Sequence, residues 1–168
     1  AIRSNLRNGD FDKARDLAEK HDIAYDSTIT KMPPIGSEGS KGDVSIQNEW
    51  GKSASTLGTW THHKYNDIYY ASIDWDLNGG DGSYETPGPR DGAGLTVNPD
   101  LWEPVIDSWH GDDRSVLRKR GSKGVIYGFN DPNGPYNVDD TNTLGFCDVN
   151  LEKTEAGSHN IYGTYEHT

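Results

Sequence analysis

Hydrophobic and polar side chains alternate most regularly between Ile68 and Leu77. One set of alternate positions is mostly apolar and the other is polar: the first is Tyr69, Ala71, Ile73, Trp75 and Leu77, and the second is Tyr70, Ser72, Asp74 and Asp76. Successive side chains of a β-strand point to opposite faces of its sheet. The pattern therefore predicts a strand with one face in a core and the other face in solvent.

Shorter extended segments recur along the chain, separated by clusters of Gly, Pro, Asn and Asp. The predicted strands cover residues 23–30, 44–50, 57–65, 68–77, 95–97, 115–120, 125–129, 144–151 and 160–168. A tight turn at 121–124 predicts a hairpin, and residues 153–158 suggest a second one. About nine short strands in one domain predict a mainly β protein, an antiparallel β-sandwich of jelly-roll-like or immunoglobulin-like type.

In the first 20 residues the apolar side chains recur at helical spacing instead of alternating. Ile2 and Leu6 lie four positions apart before a helix exit at Asn8-Gly9, and a second helix carries an apolar stripe of Phe11, Ala14, Leu17 and Ala18. An amphipathic helix of this length needs a surface to pack on. We expect a short helical N-terminal lead at 1–22 and a β-sandwich domain at 23–168.

The charge balance narrows the classes of partner. The 168 residues carry a net charge of -11, with 19 Asp and 9 Lys. An acidic, lysine-poor surface repels phosphate groups, which argues against nucleic acid and anionic membranes as partners. No apolar run approaches the roughly 20 residues of a membrane-spanning helix, so we expect no membrane insertion. High salt, divalent cations and simple solubility all remain explanations of the acid excess.

The segment 74–85 matches the calcium-loop pattern D-x-[DN]-x-[DN]-G-x5-E. Its candidate metal ligands are Asp74, Asp76, Asn78, Asp81 and Glu85, and calcium is the one cofactor that the sequence suggests. An EF-hand is excluded because a strand precedes the loop and prolines follow it. Two interpretations stay open: a calcium site of another type, or the solvated face of a strand.

Catalytic motifs are sparse. The chain lacks H-E-x-x-H, C-x-x-C, G-x-S-x-G and phosphate-binding glycine patterns. His62 and His63 are adjacent on a strand, so they point to opposite faces and cannot share a metal. Adjacent acids at 112–113 and 139–140, together with five Trp, keep a secreted polysaccharide-directed hydrolase as an alternative. The sequence favours a protein without enzymatic activity over an enzyme.

Two further features concern the protein's environment and partners. The single Cys147 lies in the apolar run 144–149, which predicts a buried thiol. Ala1 would suit a mature start after export. The basic residues Arg114, Arg118, Lys119 and Arg120 either protect a sheet edge or contact an acidic neighbour, including another copy of the chain.

Three stretches together resemble small, acidic, secreted β-rich proteins of halophilic archaea. They are GSKGVIYGFND at 121–131, the ending YEHT at 165–168 and IDWDL at 73–77, and the helix-to-strand stretch 10–26 is similar too. The resemblance implies export and high salt, and it transfers no functional residue.

We therefore expect an extracellular or cell-surface protein that acts without catalysis, through contacts with other proteins or with copies of itself. It would be a cell-surface, filament or virion component, or a secreted binding module. Strand addition at a sheet edge is one route to such contacts, with segment 32–43 or the terminal strand 161–168 as donor. The alternatives are the hydrolase and an exported toxin or bacteriocin-like protein.

Overall fold

The computed structural model describes residues 1–31, 56–78, 91–112, 115–129 and 142–166. In this part of the chain the protein is mainly β, as predicted, with two antiparallel sheets and few helices. The elements are α1 Ile2–Arg7, α2 Phe11–Lys20, β1 Tyr25–Lys31, β2 Thr56–Tyr65, β3 Ile68–Asn78, β4 Asp91–Val97, β5 Trp102–Pro104, β6 His110–Gly111, β7 Ser115–Gly121, β8 Gly124–Phe129, β9 Asn142–Lys153 and β10 Ile161–Glu166. The predicted strand at 44–50 and the segment 32–43 lie outside the described residues.

Sheet A has the order β1-β2-β3-β9-β5, and the short β6 also pairs with β9. Sheet B has the order β10-β4-β8-β7. The predicted hairpin at 121–124 is confirmed, because β7 pairs with β8 and Gly124 takes the left-handed φ of 138° that its turn requires. The hairpin predicted between the last two strands is wrong: β9 belongs to sheet A and β10 to sheet B, so residues 154–160 cross between the sheets.

The two sheets share an apolar core. Ala71 and Ile73 of β3 face it, as the alternation predicts, and so do Cys147, Val149 and Leu151 of β9. The buried members are Ala71, Ile73, Leu95, Val97, Trp102, Val125, Tyr127, Cys147, Val149 and Leu151. Gly163 in β10 lets the sheets approach, because a Cβ there would collide with Thr59. The prediction that Cys147 is buried is confirmed, and burial raises the pKa of its thiol well above the ordinary value.

The opposite face of β3, on the helix side of sheet A, is also buried, which corrects the prediction of a solvated strand face. Tyr70, Ser72 and Asp74 are 1%, 0% and 5% exposed. Both helices lie on this face and form a second core with it, made of Leu6, Phe11, Ala14, Ala18, Trp60 and Tyr70. The apolar stripe of α2 thus finds its packing surface on the sheet, and Gly58 leaves room there for the ring of Phe11.

Helix α1 ends where the sequence predicts. Helix α1 stops before Asn8, and Gly9 takes a left-handed φ of 76°. Both helices share a core with sheet A. The division into a lead at 1–22 and a sandwich at 23–168 stays a prediction. Neither helix of the described residues has the length and apolar character needed to cross a membrane.

Candidate functional site

The residues predicted to bind calcium begin on the helix-covered face of β3. Asp74 is buried there and accepts a hydrogen bond from Ser72 Oγ at 2.7 Å. Asp76 is half-buried and Asn78 is the last residue of the strand. Asp81 and Glu85 lie outside the described residues. Within the described ranges no three His, Cys, Asp or Glu side chains are grouped to hold a metal ion, so calcium binding stays a prediction.

Asp148 is the centre of a buried polar network beneath α1. It lies in β9 directly opposite Ser72 and is 1% exposed. Its Oδ2 accepts hydrogen bonds from Tyr70 Oη at 2.8 Å and from Arg7 Nη2 at 2.9 Å. His110 Nδ1 lies 3.4 Å from its Oδ1. This network ties the helical lead, β3, β6 and β9 to one carboxylate.

The two arginines of α1 reach the network from one side of the helix. Arg3 and Arg7 are four positions apart, so both project from the same helical face. The Arg7 guanidinium lies 3.9 Å from the centre of the Phe146 ring, and that of Arg3 lies 4.8 Å from the Tyr70 ring. Arg3 Nε is 3.8 Å from Asp148 Oδ2. Arg7 is therefore held by a close carboxylate and an aromatic face, whereas Arg3 makes only longer contacts of both kinds.

Burial determines the protonation of this region. It raises the pKa of Asp74 to about 7; the Ser72 hydrogen bond lowers that pKa, the Asp148 carboxylate raises it and Arg7 lowers it. Burial also raises the pKa of Tyr70, and its neighbours Asp148 and Asp74 raise it further. The carboxyl is therefore largely protonated below pH 7, and a neutral carboxyl needs no counter-ion, which explains how Asp74 tolerates its site in that range.

The acids of this region do not form the cleft that sugar hydrolysis needs. Asp74 and Asp148 lie on neighbouring strands, but both are buried under α1 and neither is open to a polymer. Of the acid pairs considered for hydrolysis, Asp112 is half-buried, whereas residue 113 and the pair at 139–140 lie outside the described residues.

A second region, on the rim of sheet A, exposes apolar surface. The turn between β5 and β6 presents Ile106 at 88% exposure. Ile106, Trp109, Pro104, Glu103, Asp107 and Arg120 border a groove of about 430 Å³. We call these six residues the contact corner.

The turn that carries Ile106 is firmly anchored. Val105 N donates to Asn150 O at 2.9 Å, and Ser108 Oγ donates to Val105 O at 2.7 Å. The buried Ser108 Oγ also accepts from Asn150 N at 3.1 Å. Asp107 adopts a left-handed φ of 60°, which an Asp tolerates better than most residues. Ile106 is therefore held outward by a fixed backbone.

The cationic strand β7 borders the same groove through Arg120. It ends the strand order of sheet B in the described residues, and its residues 116–121 are exposed. A register shift between Leu117 and Lys119 interrupts its pairing with β8. A bulge and exposed cations are the devices that protect a sheet edge from indiscriminate pairing.

Sequence reasoning missed both Asp148 and the contact corner. Asp148 follows Cys147 in an apolar run, and an acid flanked by buried positions was itself a sign of a buried polar group. The spacing of Arg3 and Arg7 on one helical face was a sign of its partners. The turn 105–109 has no periodicity, so no pattern marked Ile106 as exposed.

Comparison with known proteins gives no relative from which a role could be taken. No protein-family model, curated protein or solved structure matches the chain. The resemblance to proteins of halophilic archaea therefore stays an expectation.

Proposed function

We propose that this protein is an extracellular, salt-adapted module that acts without catalysis, by binding a second copy of itself through the contact corner. The observation that carries the proposal is Ile106, 88% exposed on an anchored turn. In this proposal the two sheets form a jelly-roll-like or immunoglobulin-like sandwich, and the protein serves as a unit of a cell surface, filament or virion, or as a secreted binding module.

The apolar part of the contact corner supports binding of a protein surface. Burying an exposed Ile contributes about 2 kcal/mol. The backbone of the turn is already fixed by Ser108 and Asn150, so association costs little ordering of this segment. Trp109 and Pro104 beside the groove supply the apolar surface against which a partner's Ile106 would pack.

The charges at the groove favour a second copy as the partner. Glu103 and Asp107 lie at the same groove as Arg120, so one surface carries both signs. Such a surface is self-complementary when two copies meet about a twofold axis, because the cation of one faces the acids of the other. Glu103 also lies directly opposite Glu152 in the β5–β9 pairing, and a partner's Arg120 would relieve that like-charge repulsion.

Strand addition is a separate route to assembly. The terminal strand β10, a predicted donor, is already paired with β4 over Ile161–Glu166, so it would have to leave sheet B to act as one. The other predicted donor, segment 32–43, lies outside the described residues. The contact corner needs no such rearrangement.

Sedimentation velocity in molar potassium chloride tests the proposed self-association. The wild-type protein should show a concentration-dependent dimer or larger species. Ile106→Asp should sediment as a monomer, because it places a charge at the centre of the contact. Ile29→Asp is the matched control, since it adds the same charge to another exposed Ile, on β1.

Charge exchange tests the pairing across the interface. Arg120→Glu should weaken association, and the double variant Glu103→Arg with Arg120→Glu should restore it, since the signs match again across the axis. A wild-type protein that remains a compact monomer at high concentration would overturn the proposal. So would equal association of wild type and Ile106→Asp.

A further inference from the structure

A cleft beside α1 differs in charge from the rest of the protein. It has a volume of about 340 Å³, and its walls include Arg3, His21, His62, Lys64 and Tyr70. No Asp or Glu is among the described residues that line it. The whole chain has 27 acidic and 16 basic residues, so a cleft with cations and no acid is unexpected.

The cleft also has an apolar side. Ile2, Leu17 and Ile23 line it, and Ile2 and Ile23 also pack against the core that the helices form with sheet A. A small-molecule site typically combines apolar walls with a few polar groups that fix orientation. The ligand that matches these walls has an apolar body and an anionic group.

His62 supplies a hydrogen-bond donor, because its neutral ring carries the proton on Nε2. Trp60 Nε1 donates to His62 Nδ1 at 2.8 Å, so the ring proton of the neutral imidazole resides on Nε2. The ring of His62 also packs against that of Tyr70, with centroids 5.0 Å apart. The histidine is thus held rigidly in the wall of the cleft, with Nε2–H left to donate.

The two cations of the cleft are weakly engaged within the protein. Lys64 Nζ lies 3.4 Å from Asn150 Oδ1, a long contact with a neutral group. Arg3 Nε is 3.8 Å from Asp148 Oδ2, whereas Arg7 already makes a 2.9 Å hydrogen bond to that oxygen. Positive charge is therefore left over for an anion in the cleft.

We propose that this cleft binds a small organic carboxylate with an apolar body, with Arg3 and Lys64 facing its charge and His62 Nε2 donating to it. The site is separate from the contact corner and does not depend on self-association.

Titration followed by NMR of the histidine ring nitrogens tests the site in the full chain. Benzoate should shift the His62 resonances saturably. Acetate has the charge without the body, and benzyl alcohol has the body without the charge, so each should bind at least several-fold more weakly. Absence of a saturable His62 shift with benzoate, or equal binding of benzyl alcohol, would overturn the proposal.

Substitution of the exposed lysine separates a specific site from general attraction. Lys64→Gln should weaken benzoate binding roughly threefold, as expected for loss of one partly exposed ion pair. Lys64→Arg should retain binding. Lys123→Gln, which removes the same charge from the β7–β8 turn, should have no effect. Equal weakening by Lys64→Gln and Lys123→Gln would show attraction by net charge alone and would contradict the site.

Discussion

The two faces of β3 are both buried but are held in different ways. Toward sheet B, β3 presents Ala71 and Ile73 to an apolar core. Toward the helices it presents Tyr70, whose hydroxyl donates to Asp148, and Ser72, whose hydroxyl donates to Asp74. The comparison teaches that alternating apolar and polar side chains identify the two faces of a strand but do not show which face is exposed to solvent. A short helical segment is enough to convert the polar face into an interior.

The largest loss of stability on the polar face should come from removing the Asp148 carboxylate, which the hydrogen bonds of Tyr70 and Arg7 share. Asp148→Ala leaves Arg7 and the Tyr70 hydroxyl without their partner, and loss of one member of a buried ion pair costs about 3–5 kcal/mol. Ile73→Ala on the apolar face should cost about 2–5 kcal/mol by creating a cavity. Urea denaturation measures both free energies of unfolding.

The matched control for Asp148 is Asp26→Ala, because Asp26 is an exposed acid on β1. It should change the free energy of unfolding by less than about 0.5 kcal/mol. If Asp148→Ala proved as mild as Asp26→Ala, the polar face would not be an interior held by this carboxylate.

A smaller effect, dependent on pH, should come from Asp74. Its folded pKa of about 7 lies above the ordinary value of 3.8, so between these values the folded protein holds a proton that the unfolded chain has lost. Stability supplied by that proton is therefore lost as pH rises toward 7. Asp74→Asn does not titrate, so the variant should gain on the wild type by roughly 3 kcal/mol between pH 5 and pH 8.

The measurement is the difference in the free energy of unfolding between Asp74→Asn and wild type at several pH values. His62 titrates in both proteins, with a pKa lowered to about 4 chiefly by burial and further by Lys64, so its opposite contribution cancels in the difference. A difference that does not vary with pH would mean that Asp74 titrates as an exposed acid.

Much of the fold could be predicted from the sequence because its determinants are local. The alternation at 68–77 predicted β3, the turn at 121–124 predicted the β7–β8 hairpin, and the apolar run around Cys147 predicted its burial. In each case the residues that show the sequence pattern are the same residues that form the strand, turn or buried segment. The exit of α1 at Gly9 belongs to the same group.

The candidate site could not be predicted because its determinants are far apart in the chain. Arg7 and Asp148 are separated by 141 positions, so nothing near Asp148 shows that a cation will neutralise it. The burial of Asp74 depends on helices that precede it by more than fifty residues. The failed β9–β10 hairpin has a related cause: the choice of sheet depends on which strands β9 and β10 find as partners.

The most direct test of the buried polar face is the reactivity of a thiol placed within it. Ser72→Cys puts the thiol at a position that is 0% exposed, and native Cys147 is also 0% exposed, so it adds no background in the folded protein. Thr28→Cys supplies an exposed thiol on β1 as the control. With an aromatic disulfide reagent under native conditions, Thr28→Cys should react at once and Ser72→Cys should react only on unfolding. Equally fast reaction of both thiols would contradict the account.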